Sequence, residues 1–275
     1  MNRIEWYFPE TIDEAAALLA RERTVPHGGG TGLVKSGLSS FSGVVDLAKL
    51  PLNYLKMEKG ILEIGASQTF ASVAENLSNL CPDCILVAAL GSAASTPLRN
   101  RITIGGSVSF FPPWSDLIGP FSVLEGEICT EGKNSGTYDL SSWLANRPVQ
   151  QGTLVTSVLL PDAADWDSCY YREVRVGFDY PSFTVSVAAR KNGSKIEEVR
   201  AAVSGGLERV TRLSGIEDGL NGKDLSQLAS LDVQKMARVT FGRKPAGSAE
   251  FLSEIAAVHV ERCLKSVLLG GGELR

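Results

Sequence analysis

The chain has 275 residues, 44% of them hydrophobic and 21% charged, a composition typical of a globular protein with a sizeable core. This length allows two domains of ordinary size. The net charge of −4 at pH 7 argues against nucleic acid or an anionic membrane as the main partner. No apolar run approaches the ~20 residues that span a bilayer, and the first residues do not resemble a signal peptide. We therefore expect a cytoplasmic protein without a membrane span.

The first fifty residues predict a small βαβ unit. Thr11 and Glu14 have the spacing of a capping box, which opens an alanine- and leucine-rich helix that continues to about Arg21. Short apolar segments at 25–26 and 43–47 predict strands on either side of a glycine-rich stretch.

Two short apolar runs are each followed at once by clustered glycines and a hydroxyl residue, at 25–33 and at 103–108. Glycine has no Cβ, so it lets backbone N–H groups approach a phosphate closely. One such segment is more often a plain turn, but two in the first half of a chain fit one ligand with two phosphates. Neither has the spacing of a P-loop or of the Rossmann dinucleotide fingerprint, so both of those folds are disfavoured.

The rest of the chain alternates strands and helices. A strand at 61–66 precedes a helix that Thr69 caps. Residues 111–116 hold too many prolines and aromatic residues for a regular element, and residues 161–165 resemble a domain boundary. The further predicted elements are a helix at 70–80, a helical or extended piece at 85–91, strands at 170–176, 183–189 and 196–203, and helices at 225–239 and 249–268. Asn192 and Gly193 suggest a hairpin between the last two strands.

The chain itself offers little material for metal or redox chemistry. It has two histidines and five scattered cysteines, of which only Cys81 and Cys84 have the C-x-x-C spacing. A zinc or iron–sulfur site would need two further ligands at suitable spacing, so we interpret this pair as two reduced cysteines at a turn rather than a redox dithiol. We expect no metal site and no catalytic side chain, and we assign the difficult chemistry to a cofactor.

The ordered motifs together resemble the FAD-binding subunit of the molybdenum hydroxylases, the group of xanthine dehydrogenase, aerobic carbon monoxide dehydrogenases and related aldehyde or N-heterocycle oxidoreductases. The motifs that carry the resemblance are GGGTGL at 28–33, IGASQT at 64–69, RNRITIGGS at 99–107, SDL at 115–117, YREVR at 171–175 with Asp179, and LNGK at 220–223. The resemblance implies an α+β fold. A PCMH-type FAD-binding domain would cover 1–162, with subdomains at about 1–55 and 56–162. A C-terminal domain at 166–270 would hold a three-stranded antiparallel sheet and helices.

The resemblance also implies which residues bind FAD. The first glycine segment would give backbone donors to the pyrophosphate, with a hydroxyl from Thr31, and the second segment would close on the same group. Asp116 would accept from a ribose hydroxyl or would cap a helix, and Arg172 would lie near the flavin edge or on the surface. The predicted cofactor-binding residues are His27, Gly28, Gly29, Gly30, Thr31, Gly32, Leu33, Thr103, Ile104, Gly105, Gly106, Ser107, Asp116 and Arg172.

The implied function is electron transfer in a complex with an Fe–S subunit and a molybdenum-cofactor subunit. FAD would pass electrons to NAD⁺, another carrier or oxygen. Two alternatives remain open: a self-contained flavin oxidoreductase of the same FAD fold, and a scaffold subunit that has lost FAD. The second draws on residues 110–114, where this chain replaces the family's small residues with Phe111, Pro112 and Pro113. Phe111 and Trp114 would pack either on a flavin or in the core.

Overall fold

The computed structural model describes residues 4–37, 39–145 and 152–270. In chain order the strands are β1 (Glu5–Tyr7), β2 (Thr24–His27), β3 (Gly43–Asp46), β4 (Leu55–Glu58), β5 (Ile61–Gly65), β6 (Glu127–Gly132), β7 (Gly136–Asp139), β8 (Thr153–Pro161), β9 (Asp167–Glu173), β10 (Phe183–Asn192), β11 (Lys195–Ser204) and β12 (Val210–Arg212). The helices are α1 (Ile12–Leu19), α2 (Thr31–Ser36), α3 (Phe70–Leu80), α4 (Ile85–Ser92), α5 (Thr96–Arg99), α6 (Ile104–Phe110), α7 (Ile118–Val123), α8 (Leu140–Ala145), α9 (Ser214–Leu220), α10 (Val233–Met236) and α11 (Ala249–Leu269), with a 3₁₀ helix at Leu225–Ser230.

The described residues form two compact units, each made of several chain segments. The first takes residues up to 73 together with 95–110 and 125–161, and the second takes 74–94, 111–124 and the residues from 162 onward. The division of the sequence into domains near residue 162 stays a prediction. No helix in the described part of the chain has the length and apolar character needed to cross a membrane.

A three-stranded parallel sheet, in the order β1-β3-β2, opens the first unit. The predicted helix and both predicted strands are present. Thr11 caps α1, since Glu14 N donates to its Oγ1 at 3.2 Å, but the Glu14 carboxylate accepts from Glu10 N instead of closing the box on Thr11. Sequence patterns do not predict β1, because three residues are too few to show an alternating pattern and two of them are exposed.

An antiparallel sheet of five strands, in the order β4-β5-β8-β6-β7, completes the first unit. Its buried side includes Leu62, Ile64 and Ile128, and Trp143 Nε1 donates to Val108 O at 2.8 Å. The second glycine segment lies at the start of a helix. Ile104 begins α6, because Thr103 Oγ1 accepts from Gly106 N at 3.1 Å and so caps a helix.

The second unit is built on an antiparallel sheet in the order β12-β11-β10-β9. The three predicted strands and the hairpin turn at Gly193 are present, and the short β12 adds a fourth strand. One face of the sheet packs with the 21-residue helix α11 in a continuous apolar core. Buried members of that core are Val185, Val187, Val199, Ala201, Val203, Leu252, Ala256, Val260 and Leu264.

Two predicted elements of the second unit have different bounds in the structure. The strand expected to reach residue 176 ends at Glu173. The helix expected over 225–239 is instead a 3₁₀ helix followed by the four-residue α10. Asp224 accepts from Ser226 N at 3.0 Å and Asp232 from Lys235 N at 3.2 Å, so each aspartate caps a separate short turn.

Candidate cofactor site: a cradle of bare backbone

The first glycine segment leads directly from β2 into α2. Gly30 precedes the helix with φ +77°, a left-handed conformation that residues with a Cβ rarely adopt. No described residue accepts a hydrogen bond from the N–H groups of Gly28, Gly29 or Gly30. Thr31 and Gly32 follow in the first helical turn, where N–H groups have no partner within the helix. The segment therefore presents backbone donors.

The two glycine segments meet in the first unit. A Cβ on Gly29 would lie 1.5 Å from Arg101 O, and Arg101 Nε donates to Gly29 O at 3.2 Å. A Cβ on Gly28 would lie 3.1 Å from Thr103 Oγ1, and one on Gly106 would lie 2.9 Å from the same oxygen. Gly28 and Gly106 are both exposed, whereas Thr103 is buried. Two stretches of bare backbone thus flank one hydroxyl group, and we call Gly28–Gly30, Thr103 and Gly106 the glycine cradle.

The N–H groups of the second segment already have acceptors within the chain. Ile104 N donates to Gln68 O at 2.9 Å and Gly105 N to Ala66 O at 2.8 Å. Gly106 N donates to Thr103 Oγ1, and Ser107 N to Thr103 O at 2.9 Å. Gly105 is buried, and a Cβ there would lie 2.7 Å from that of Ala66, so this glycine allows close packing. Of residues 104–107, Gly106 is the one that is exposed at the surface.

His27 is fixed between a strand and the first glycine segment. Its Nδ1 lies 3.1 Å from Asp46 Oδ2, so Nδ1 carries the shared proton, and Trp6 meets the ring edge-on at 5.2 Å. A Cβ on Gly30 would lie 2.8 Å from His27 Nε2. Neither Asp46 nor Arg101 is among the site residues that the sequence predicts. Asp46 could have been found from the register of the parallel strands, since β2 and β3 place His27 opposite Asp46.

Asp116 and Arg172 form a buried ion pair in the second unit. Arg172 Nε donates to Asp116 Oδ1 at 2.6 Å, and Tyr170 OH donates to the same oxygen at 2.8 Å. The Asp116 and Arg172 side chains are 9% and 7% exposed. Burial raises the pKa of Asp116, while Arg172 and Tyr170 oppose the rise. Tyr170 was missed, although its position two residues before Arg172 places both on one face of β9.

Both simpler interpretations of this pair are wrong. Arg172 is not a surface side chain, because it also donates from its two terminal nitrogens to Gly177 O and Asp179 O, each at 2.8 Å. Asp116 is not the cap of the following helix, since Ser115 Oγ accepts from the N–H groups of residues 117 and 118 at 3.3 Å. The pair therefore holds the segment after β9 in place.

The segment at 110–114, which differs from the family pattern, contributes to the core. Phe111 is fully buried and its ring lies 5.8 Å from that of Phe121, as the core alternative predicts. Trp114 is half-buried and its ring lies 4.8 Å from that of Tyr180. Arg209 donates to Phe111 O at 3.0 Å, which fixes the backbone where φ is +35°.

Comparison with known proteins identifies the family. Residues 2–163 match the model of the FAD binding domain in molybdopterin dehydrogenase. The glyceraldehyde dehydrogenase medium chain of Sulfolobus acidocaldarius is 24% identical over 94% of this chain and 96% of its own length. The carbon monoxide dehydrogenase medium chain of Hydrogenophaga pseudoflava is 23% identical over 96% of both chains. A solved carbon monoxide dehydrogenase from that organism has the same fold, with a TM-score of 0.86 and 22% identity over 98% of this chain and 99% of that one.

The family match covers more than half of the chain. The chain therefore belongs to the FAD-binding subunits of the molybdenum hydroxylases, and it is an oxidoreductase subunit with FAD as its cofactor. The expected family, fold class, enzyme class and cofactor are confirmed. The individual cofactor-binding residues stay predictions.

Proposed function

We propose that this chain transfers electrons through FAD between an Fe–S subunit of its complex and an acceptor such as NAD⁺, another carrier or oxygen. Oxidation of the organic substrate would take place on a molybdenum-cofactor subunit. The observation that carries the proposal is the glycine cradle, where two exposed glycines flank the Thr103 hydroxyl. The medium-chain relatives support it as well.

The glycine cradle fits a diphosphate by its chemistry. Backbone N–H groups of residues 28–32 supply donors, and the absence of side chains at Gly28 and Gly106 allows phosphate oxygens to approach them. The start of α2 favours negative charge, and the guanidinium of Arg101 lies beside Gly29. We infer that the first segment holds the diphosphate and that Thr103 and Gly106 bound it on the other side.

When bound, FAD would supply a two-electron store that can release electrons singly, as one-electron Fe–S partners require. The residues of this chain would bind and orient the cofactor. Asp46 would hold the His27 ring so that its Nε2 stays next to Gly30 of the first segment. The buried pair of Asp116 and Arg172 would keep the segment after β9 rigid.

Binding measurements with partial cofactors test the proposal. We expect FAD and ADP to bind more tightly than FMN or riboflavin, because the glycine cradle suits a diphosphate. Gly30→Ala should weaken FAD binding by roughly 10- to 100-fold through displaced donors. Gly37→Ala is the matched control, since Gly37 also has φ +77° but a Cβ there would meet nothing within 4 Å. Equal affinity for FMN, or equal effects of both variants, would contradict the proposed diphosphate site.

Turnover assays separate the alternatives. The isolated chain with FAD should act as a diaphorase-like electron carrier and should not oxidise an aldehyde or purine. Rapid turnover of such a substrate by the metal-free chain would instead indicate a self-contained oxidoreductase.

A further inference from the structure

Two cysteines of the second unit lie in direct contact. Cys169 Sγ on β9 is 2.6 Å from Cys263 Sγ on α11, and both are free thiols. Cys263 is fully buried, whereas Cys169 is half-buried on β9, one of the two outer strands of its sheet. The Cys169 residue is therefore partly exposed to solvent, while Cys263 lies in the core of the second unit.

A second contact in the same register supports this arrangement. Tyr171, two residues after Cys169, stacks on His259, which lies one helical turn before Cys263. The two ring centroids are 3.5 Å apart with 10° between the planes. Residues two apart share a face of a strand, and residues four apart share a face of a helix. The two sulfurs are therefore brought together by the way β9 packs against α11, and not by the rotamer of one side chain alone.

We propose that Cys169 and Cys263 form a hydroperoxide-reactive dithiol site that closes to an intramolecular disulfide. The Cys169 thiolate attacks the terminal peroxide oxygen, the O–O bond breaks, and Cys169 becomes a sulfenic acid while an alcohol or water leaves. Cys263 sulfur then attacks Cys169 sulfur, forms the S–S bond and releases the sulfenic oxygen as water. In total, two thiols and one hydroperoxide give one disulfide, one alcohol or water, and one water.

The roles of the two thiols follow from their surroundings. Cys169 is the first to react because this residue is partly exposed, whereas Cys263 is fully buried. Contact with Cys169 and burial both raise the pKa of Cys263, so this thiol reacts second, once a sulfenic acid lies beside it. The C-x-x-C pair differs: both thiols are buried, and burial raises the pKa of Cys84 to about 12.

The disulfide would change the stability of the unit. It would join two positions 94 residues apart in the chain, and a cross-link over a long loop restricts the unfolded state strongly. We expect oxidation to raise the melting temperature by roughly 5–10 °C and a dithiol reductant to reverse the shift.

Peptide mapping of the full chain tests the proposal, which does not depend on FAD. The reduced protein is treated with hydrogen peroxide, unfolded and alkylated with N-ethylmaleimide, and digested without reductant for mass spectrometry. We expect a cross-linked peptide of Cys169 and Cys263 that is two hydrogens lighter than its parts, with three of the five cysteines still alkylated. The double variant Cys81→Ser, Cys84→Ser is the matched control and should give the same cross-link.

Single variants separate the two steps. In Cys263→Ser, Cys169 should stop at sulfenic acid, which dimedone traps, and the melting shift should disappear. Should that buried substitution prevent folding, Cys169→Ser gives an independent test, because peroxide should then leave Cys263 fully alkylatable after denaturation. The proposal is overturned when both thiols of the peroxide-treated wild type are alkylated on unfolding, or when peroxide oxidises Cys263 in Cys169→Ser.

Discussion

The glycines at 28–30 and those at 105–106 resemble each other in sequence but serve different physical needs. In the first segment the N–H groups have no acceptor among the described residues, and Gly30 has a left-handed conformation. In the second segment the N–H groups donate to Gln68, Ala66 and Thr103, and Gly105 packs against Ala66. Glycine is thus needed in one case to expose donors and in the other to bring a helix close to a strand. Variants that affect binding and stability separately can test this difference.

We expect the largest effect from Gly29→Ala. A Cβ 1.5 Å from the Arg101 carbonyl oxygen overlaps backbone, so no side-chain rotation can relieve it and the two segments must separate. Loss of stability should exceed about 3 kcal/mol, and FAD binding should be abolished at 25 °C. Urea denaturation and a flavin fluorescence titration measure the two effects. A fully stable variant that still binds FAD would show that the two segments do not meet as described.

Gly105→Ala should have a smaller effect, and mainly on stability. Its Cβ would lie 2.7 Å from the Ala66 Cβ, an overpacked contact that typically costs about 1–3 kcal/mol. The buried position presents no donor to the cradle, so FAD affinity of the folded fraction should stay within about twofold of wild type. Affinity measured well below the melting temperature checks this. A loss of affinity as large as that of Gly30→Ala would remove the distinction between the two segments.

Gly32→Ala should have the smallest effect. Gly32 is exposed in α2, and a Cβ there would meet nothing within 4 Å. Alanine favours a helix over glycine by up to about 1 kcal/mol, so stability should be unchanged or slightly higher. If FAD affinity is also unchanged, Gly32 contributes only its backbone. A clear loss of affinity would place the ligand against its Cα.

Sequence patterns predicted the parts of this fold that depend on local signals. Thr11 and Thr69 marked helix starts because a cap is a contact over three residues, and the structure has both contacts. The order of the motifs predicted the family. Contacts between distant segments could not be read this way: Arg101 meets Gly29, and Tyr170 meets Asp116, across 72 and 54 residues.

For two elements the sequence pattern failed for a local reason instead. An apolar residue before two glycines is compatible with either a strand end or a helix start, so the pattern at 102–106 does not predict α6. The Thr103 hydroxyl decided between them by capping Gly106 N. Likewise, the helix predicted over 225–239 is interrupted at Asp232, because its carboxylate caps a separate short helix.

The pairing of the strands also bears on the order in which the chain folds. The parallel sheet β1-β3-β2 is complete within residues 5–46, so its strands can pair before β5 has left the ribosome. The strand β5 pairs with β4 and β8, and Ile61 lies opposite Pro161, so the second sheet cannot close until much more of the chain has been synthesised. Pairing of strands close in sequence has a small entropic cost of loop closure, whereas the β5–β8 pairing has a larger one. During translation, the first glycine segment would therefore be held between paired strands long before the rest of its unit is complete.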